Sequence, residues 1–267
     1  MKNFLIILFV LVRFNGFCQT LSQNDFVQIP TPADRSKEWY AFNLSVRTRV
    51  EVSLAGIQLQ LAKGNRRDVY QTYKLPHGDL VALDQGEFGG GLYYKPDDAA
   101  DTVFNVNGKP TIANKEISKI IGLFSPRSAS PKGKFLLIKY GNANGIFVYK
   151  GELYFTEGLS HMGTNQGAMY KVEIHDESVN AVKVIDFDEA IRSTTVYKGV
   201  IYVATFSKFY VVRDFKKELI LDSLFWYGFN PSSIAVIDDH NIYVGMYGFY
   251  AKIDAIKKEM LLYKYKE

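Results

Sequence analysis

Apolar and polar residues alternate with period two along much of this chain, the pattern of strands that pack one face and leave the other open. It is clearest at Val46–Leu54. There Val46, Thr48, Val50, Val52 and Leu54 form the apolar set, and Arg47, Arg49, Glu51 and Ser53 the polar one. Gly56 then turns the chain into Ile57–Leu61, which predicts a hairpin. Val69–Tyr73, Leu80–Leu83, Leu92–Tyr94 and Val103–Val106 read as the four strands of one unit, separated by turn residues at Pro76–Gly78, Gly86–Gly90 and Pro96–Asp98.

In the second half the pattern repeats. VYKGELYF at Val148–Phe155, VYKGVIYV at Val196–Val203 and VIDDHNIYV at Val236–Val244 are three versions of one hairpin. Their paired tyrosines, Tyr154, Tyr202 and Tyr243, lie 48 and 41 residues apart. A period of about 40–50 residues with several short strands per unit predicts a β-propeller. Counting about 20 strands gives an all-β chain of about five four-stranded blades. A two-sheet sandwich fits less well, because sandwiches lack repetition at this length. Residues 20–267 then form a single domain. Residues 20–45 are expected to be an irregular lead-in, with Pro30 and Pro32 blocking regular pairing.

The first 19 residues change the picture of where the protein resides. Lys2 precedes an unbroken apolar run, Phe4–Val12, which Arg13 ends. Such a run is too short to span a bilayer, which needs about 20 residues, and has the length of a signal-peptide core. Export to the periplasm or the extracellular space is therefore expected. Cys18 is the only cysteine, so no intramolecular disulfide forms. A lipid anchor on Cys18 is the less favoured reading, because Phe17 and Asn15 do not match the small and aliphatic residues of a lipobox. No other run reaches membrane-spanning length.

Without Lys2 and Arg13, 30 basic residues stand against 28 acidic ones, a net charge of +2. The basic residues are also scattered, which argues against nucleic acid as a partner. Aromatic residues make up 15% of the chain, and they suit cross-strand packing as well as sugar stacking.

Four segments interrupt the strand pattern and carry candidate chemistry. In Asp84–Tyr93, the consecutive Gly89, Gly90 and Gly91 permit close backbone approach, and Asp84 and Glu87 are candidate polar contacts. Glu157–Gly167 reads as a loop extended beyond its counterparts in the other repeats, with Glu157 and His161 four apart. Trp226–Ser233 places Trp226, Tyr227 and Phe229 beside the turn at Asn230–Pro231. Gly245–Gly248 is a tight turn that includes Tyr247. No HxH or HExxH spacing exists, so no metal site and no cofactor are expected. No GxSxG or phosphate-loop pattern is present.

GEFGGGLY at Gly86–Tyr93, GLSHMG at Gly158–Gly163, FNPSSI at Phe229–Ile234 and YVGM at Tyr243–Met246, in this order, resemble a family of uncharacterised bacterial secreted proteins with β-propeller-like repeats. The resemblance covers Leu80–Ile253. It implies the architecture and the importance of these segments, and it implies no reaction.

A propeller brings equivalent loops together at one end of a central channel. Glu87, Glu157, His161 and Asn230 are therefore expected to converge there, with Asp84, the three glycines, Trp226 and Tyr247. The favoured reading is an exported, non-enzymatic binding or scaffold protein whose partner is a glycan, a peptide or an envelope protein. The alternative is a hydrolase or lyase acting on an extracellular glycan or peptide polymer, with Glu87 or Glu157 as acid and His161 or a second carboxylate as base.

Overall fold

Lys-Gly at the centre of the first two repeats decides their turns. Lys150 and Gly151 have φ of 51° and 80°, and Lys198 and Gly199 have 47° and 73°. Positive φ at both central residues makes a two-residue turn whose twist matches the flanking strands. The third repeat has Asp239–His240 in this place, neither at positive φ, and its first strand takes a bulge between Val236 and Asp238 instead. A computed structural model of the protein describes residues 19–45, 48–64, 70–76, 78–86, 90–97, 105–106, 109–110, 136–175 and 178–266.

These residues form an all-β structure of five sheets. The first holds β1 (Thr20–Leu21), β4 (Gln58–Gly64) and β3 (Arg49–Ala55), in that order. The second is built from β5 (Tyr70–Leu75), β6 (Gly78–Asp84), β7 (Gly90–Pro96) and β10 (Leu136–Tyr140). In the third, β11 (Ala143–Tyr149), β12 (Glu152–His161), β13 (Thr164–His175) and β14 (Ser178–Asp186) are followed by the short β8 (Asn105–Val106) and β9 (Lys109–Pro110). The fourth contains β15 (Ile191–Tyr197), β16 (Val200–Thr205), β17 (Phe209–Arg213) and β18 (Lys216–Leu221). The fifth runs β19 (Ser233–Asp238), β20 (Asn241–Met246), β21 (Phe249–Asp254), β22 (Glu259–Tyr265) and then β2 (Phe26–Ile29).

The core is divided into four layers, each between two sheets. Leu80, Leu92 and Tyr94 of the second sheet meet Leu153 and Phe155 of the third. Tyr154 and Met169 of the third meet Ile201 and Val203 of the fourth. Tyr202 and Phe209 of the fourth meet Val236 and Val244 of the fifth, with Trp226 beside them. Ala235 and Tyr250 of the fifth meet Val50, Val52 and Leu61 of the first. Strand β16 shows how the sequence encodes this. Ile201 and Val203 enter one layer and Tyr202 and Ala204 the next, so a strand buried on both faces reads as a continuous apolar run.

Three expectations are corrected. The lead-in at 20–45 is regular on either side of residues 30–36, which hold Pro30 and Pro32 and form no strand or helix. β1 pairs with β4, β2 pairs with the C-terminal β22, and α1 spans Lys37–Ser45. Ser36 caps α1 by accepting from the Trp39 amide at 3.1 Å, and the Trp39 indole donates to the Phe225 carbonyl at 2.8 Å. The fourth strand of the second sheet is β10, whereas β8, within the expected Val103–Val106 strand, pairs parallel to β14. Glu157–Gly167 is mostly strand: β12 and β13 continue to a two-residue turn at Met162–Gly163, both at positive φ.

The charged edges set an expected pH profile. Lys183 and the Asp188 amide hold the Asp186 carboxylate below its ordinary value of 3.8, and the Lys257 amide and His240 do the same for Asp254. A carboxylate depressed on folding stabilises above its unfolded pKa, and this contribution is lost as the pH falls through the folded value. Burial, then the neighbouring Tyr140, pushes the Tyr93 hydroxyl from 10 up to about 12. Its contribution is complete below pH 10 and is lost as the pH rises through about 12. Thermal unfolding measured across pH should therefore give a plateau that falls below about pH 4 and above about pH 10.

Candidate functional site

The five sheets share one cavity. Its volume is about 450 Å³, and every sheet contributes to its wall. Arg49 comes from β3, Gln71 from β5, Asp84 from the end of β6, Asn144–Phe147 from β11, Arg192–Thr194 from β15, and Ser233 and Ile234 from β19, preceded by Ser232. The starts of β3, β11, β15 and β19 therefore lie at one end of the molecule.

Two of the wall strands carry the same device. The register of β11 against β12 shifts by one residue at Asn144, and that of β15 against β16 shifts at Arg192. Such bulges re-aim a side chain. Asn144, Arg192 and Ser233 each stand ten residues before the paired tyrosine of their repeat, so the repeat delivers an amide, a guanidinium and a hydroxyl to equivalent places on the wall.

Hydrogen bonds hold the wall in place. Asn144 accepts from Thr156 Oγ1 at 2.8 Å and donates to the Ile191 carbonyl. Gln71 Oε1 accepts from the Ile146 amide at 3.2 Å. Ser233 Oγ accepts from the Val52 amide at 2.9 Å, which ties β19 to β3. Arg49 is ion-paired with Glu51, and its side chain is 10% exposed. Ser232 Oγ donates to Glu51 Oε1 at 3.3 Å. Thr194 Oγ1 is buried on this wall without a hydrogen-bond partner among the described residues.

Arg192 is placed by aromatic rings. Its guanidinium lies 5.7 Å from the centre of the Phe206 ring. Phe206 stacks on Tyr227 at 5.1 Å, and Tyr227 stacks on Trp39 at 5.0 Å. The column runs from the wall into α1, and the Tyr227 hydroxyl donates to Asp34 at 2.7 Å.

The candidates from sequence are distributed as follows. Asp84 is on the cavity wall, where its carboxylate accepts from the Gly86 amide at 3.0 Å. Glu87 and Gly89 lie outside the described residues, as do the leader and Cys18. Gly90 and Gly91 admit the chain's own strands. A Cβ on Gly90 would fall 2.2 Å from the Leu83 carbonyl oxygen, and one on Gly91 2.6 Å from that of Lys139. Tyr247 is half-buried next to the wall: its backbone bridges to Arg49, and its amide donates to the Phe229 carbonyl at 2.8 Å.

Other candidates lie away from the cavity. Glu157 borders a second, smaller cleft of about 210 Å³, with Lys139, Asn142 and Gln166. One of its oxygens pairs with Lys139 at 2.8 Å and the other accepts from the Tyr170 hydroxyl at 3.0 Å. Burial, followed by the Glu157 charge and this hydrogen bond, pushes the Tyr170 pKa up. His161 ends β12 at the hairpin tip, opposite Thr164. Four residues along a strand cover about 13 Å, so Glu157 and His161 do not form an acid–base pair. Trp226 is fully buried in the core and has no face for a ligand. Asn230 is half-buried at φ 51°, and its amide donates to the Trp226 carbonyl at 3.1 Å. Neither Trp226 nor Asn230 lines the cavity.

One acid that sequence reasoning passed over proves structural. Glu189 is buried in the β14–β15 connection. It accepts from Thr205 Oγ1 at 2.8 Å, the Ser207 amide at 2.8 Å and Ser207 Oγ at 2.7 Å. The same connection explains two glycines. Gly158 and Gly167 face each other across β12 and β13, and Cβ atoms there would fall 2.3 Å from the Ile191 oxygen and 2.2 Å from the Glu189 oxygen. Both obstacles are backbone, so Gly167→Ala is expected to cost about 1–3 kcal/mol in denaturant unfolding. Gly163→Ala, with open space around its Cβ, pays only for its positive φ and is the milder comparison.

Among the described residues no cluster of three or more His, Cys, Asp and Glu is placed to share a metal ion, and no helix is long and apolar enough to cross a membrane. No family model matches the chain, and no curated protein matches it. A solved structure of S. cerevisiae Dbp5 bound to Nup159, Gle1, IP6 and ADP contains a similar chain at 10% identity and a TM-score of 0.27. The match takes in 77% of this chain and 56% of that one, little more than half its length. At this TM-score the likeness carries no information about fold or function.

Proposed function

We propose that this protein is an exported five-bladed β-propeller that binds a ligand in its central cavity and does not transform it. One observation carries the reading: strands from all five sheets wall a single polar cavity of about 450 Å³, a size that suits a small ligand. The division of the core into layers between successive sheets supports the blade arrangement. The pairing of β2 with β22 supports ring closure by the N-terminal segment. Export rests on the charged and apolar pattern of the leader.

A glycan or peptide fragment is the ligand class that the wall of hydroxyls, amides and guanidiniums favours. Hydrolysis or elimination has less support. Glu157 has both oxygens engaged, and Asp84 is the single carboxylate among the described residues of the wall.

The test is thermal unfolding of the purified protein against cell-wall fragments, oligosaccharides and peptides. A ligand at a hundred times its Kd adds about 2.7 kcal/mol to the folded state, several degrees in Tm. The expected result is a shift from a compound recovered intact. A shift that fades as the compound is consumed contradicts the non-enzymatic reading.

A further inference from the structure

We infer that the cavity takes a neutral sugar, read through its hydroxyls, and selects against charged sugars of similar shape. This rests on the cavity being the binding site.

The argument starts from the charges of the wall. Arg49 is paired with Glu51. Arg192 and Asp84 are each engaged within the protein, Arg192 in part by the Phe206 ring and Asp84 in part by the Gly86 amide. A carboxylate or ammonium brought in by a ligand would therefore displace an existing partner or go without one. A charge taken out of water without a counter-charge is costly. A neutral ligand meets neither penalty.

The hydrogen-bonding capacity that remains is neutral and of both kinds. Strands β3, β5, β11, β15 and β19 supply the whole wall except Ala82, Asp84 and Ser232, and each is the edge strand of its sheet. An edge strand presents a row of backbone N–H and C=O groups. Wall side chains take three of them: Ser233 accepts from the Val52 amide, Gln71 accepts from the Ile146 amide, and Asn144 donates to the Ile191 carbonyl. After these bonds Ser233 keeps its O–H and Gln71 its amide N–H donors. Thr194 Oγ1 is buried in the wall with no partner among the described residues. Sugar hydroxyls both donate and accept, so they fit a surface on which donors and acceptors lie side by side. Phe147 and Ile234 give apolar surface for a ring face, and the volume of about 450 Å³ accommodates one or two sugar rings.

An extended peptide is the rival occupant of open strand edges. Strand pairing needs an uninterrupted row of N–H and C=O groups, and the bulges at Asn144 and Arg192 break that row on β11 and β15. The same bulges do not hinder a sugar, whose hydroxyls point in many directions.

The experiment is calorimetric titration of the purified protein with three neutral sugars, each beside a charged counterpart: glucose with glucuronate, galactose with galacturonate, and N-acetylglucosamine with glucosamine. At least one neutral sugar should bind about tenfold or more tightly than its counterpart, with a Kd that stays within about twofold as salt is added. Thr194→Val keeps the shape and removes the hydroxyl. It should weaken that sugar about threefold or more, while Tm without sugar stays level or rises, because a buried hydroxyl without a partner is removed. The comparison of neutral and charged sugars on the unaltered protein keeps the test valid even if the variant fails to fold.

A charged sugar that binds as tightly as its neutral counterpart would overturn the neutral assignment while leaving the cavity as a binding site. An unchanged Kd in Thr194→Val would overturn readout through the wall hydroxyls. If no sugar binds, the inference is overturned. The underlying reading then fails as well only if the peptides and cell-wall fragments also leave Tm unchanged.

Discussion

Phe26→Ala is expected to lower the unfolding free energy by about 3–5 kcal/mol and Tm by about 6–20 °C. Phe26 opens β2, the N-terminal strand that pairs with β22, more than 200 residues later in the chain. Its side chain is 6% exposed and packs edge-on to Tyr250 at 4.9 Å and against Tyr265 at 5.5 Å. The Lys266 amide donates to the Asp25 carbonyl at 2.8 Å just before it. Truncation removes a large apolar side chain from a layer that cannot close over the gap, so both transfer and cavity terms are lost. It also loosens the one strand that joins the two termini, and the exposed edge of β22 becomes open to pairing with other chains. Val27→Ala, one residue on, is the control: Val27 is 45% exposed, and its truncation should stay within about 0.5 kcal/mol. Equal urea midpoints for the two variants would mean that β2 does not close the fifth sheet.

Glu189→Ala should cost a similar amount, about 3–5 kcal/mol. The carboxylate is 9% exposed and accepts three hydrogen bonds, and Lys208 lies 3.5 Å away. Its removal leaves the buried Thr205 hydroxyl, the Ser207 amide and Ser207 hydroxyl, and the lysine without their shared acceptor. An unsatisfied buried donor costs more than a hydrogen bond contributes. Glu189→Gln keeps the shape but turns donors toward donors, and should fall between Ala and wild type. The contrast is Glu157→Gln. That carboxylate is 14% exposed against 9% for Glu189 and accepts, among the described residues, from the Tyr170 hydroxyl and Lys139 alone rather than from three donors, so the cost is smaller. If Glu189→Ala unfolds at the wild-type urea midpoint, the hydrogen bonds that join the β14–β15 connection to the β16–β17 turn contribute nothing.

The hairpins were legible because their signals are local. Lys-Gly turns and period-two alternation fix register within a dozen residues, and β11–β12 and β15–β16 follow them. The helix α1 was not legible. Only Trp39 is buried along it, while Tyr40 and Leu44 are exposed, so no apolar stripe announces it; the Ser36 cap was the one available sign. Glu157 and His161 were misplaced because Gly158, Gly163 and Gly167 read as loop, whereas two of them sit in strands to admit the backbone of residues 189–191.

Arg49 shows the deeper limit. It alternates with Val50 and Val52 and so reads as solvent-facing, yet it is nine-tenths buried at the cavity. Alternation separates apolar from polar faces and says nothing about whether the polar side meets bulk water or an enclosed polar space. What was recoverable was positional. Once the tyrosines of the repeats are aligned, Asn144, Arg192 and Ser233 fall at one place, and polar residues at a single repeat position are a signature of a shared wall.

The central claim, that this wall is a binding site, is tested most directly by filling it. Ser193 lines the cavity on β15, and Ser193→Phe places a ring in the space a ligand needs. For any sugar or peptide that binds the wild-type protein, titration of this variant should show affinity reduced by about a hundredfold or more, with Tm in the absence of ligand close to wild type. Undiminished affinity in a folded Ser193→Phe variant would place the ligand elsewhere and contradict the account.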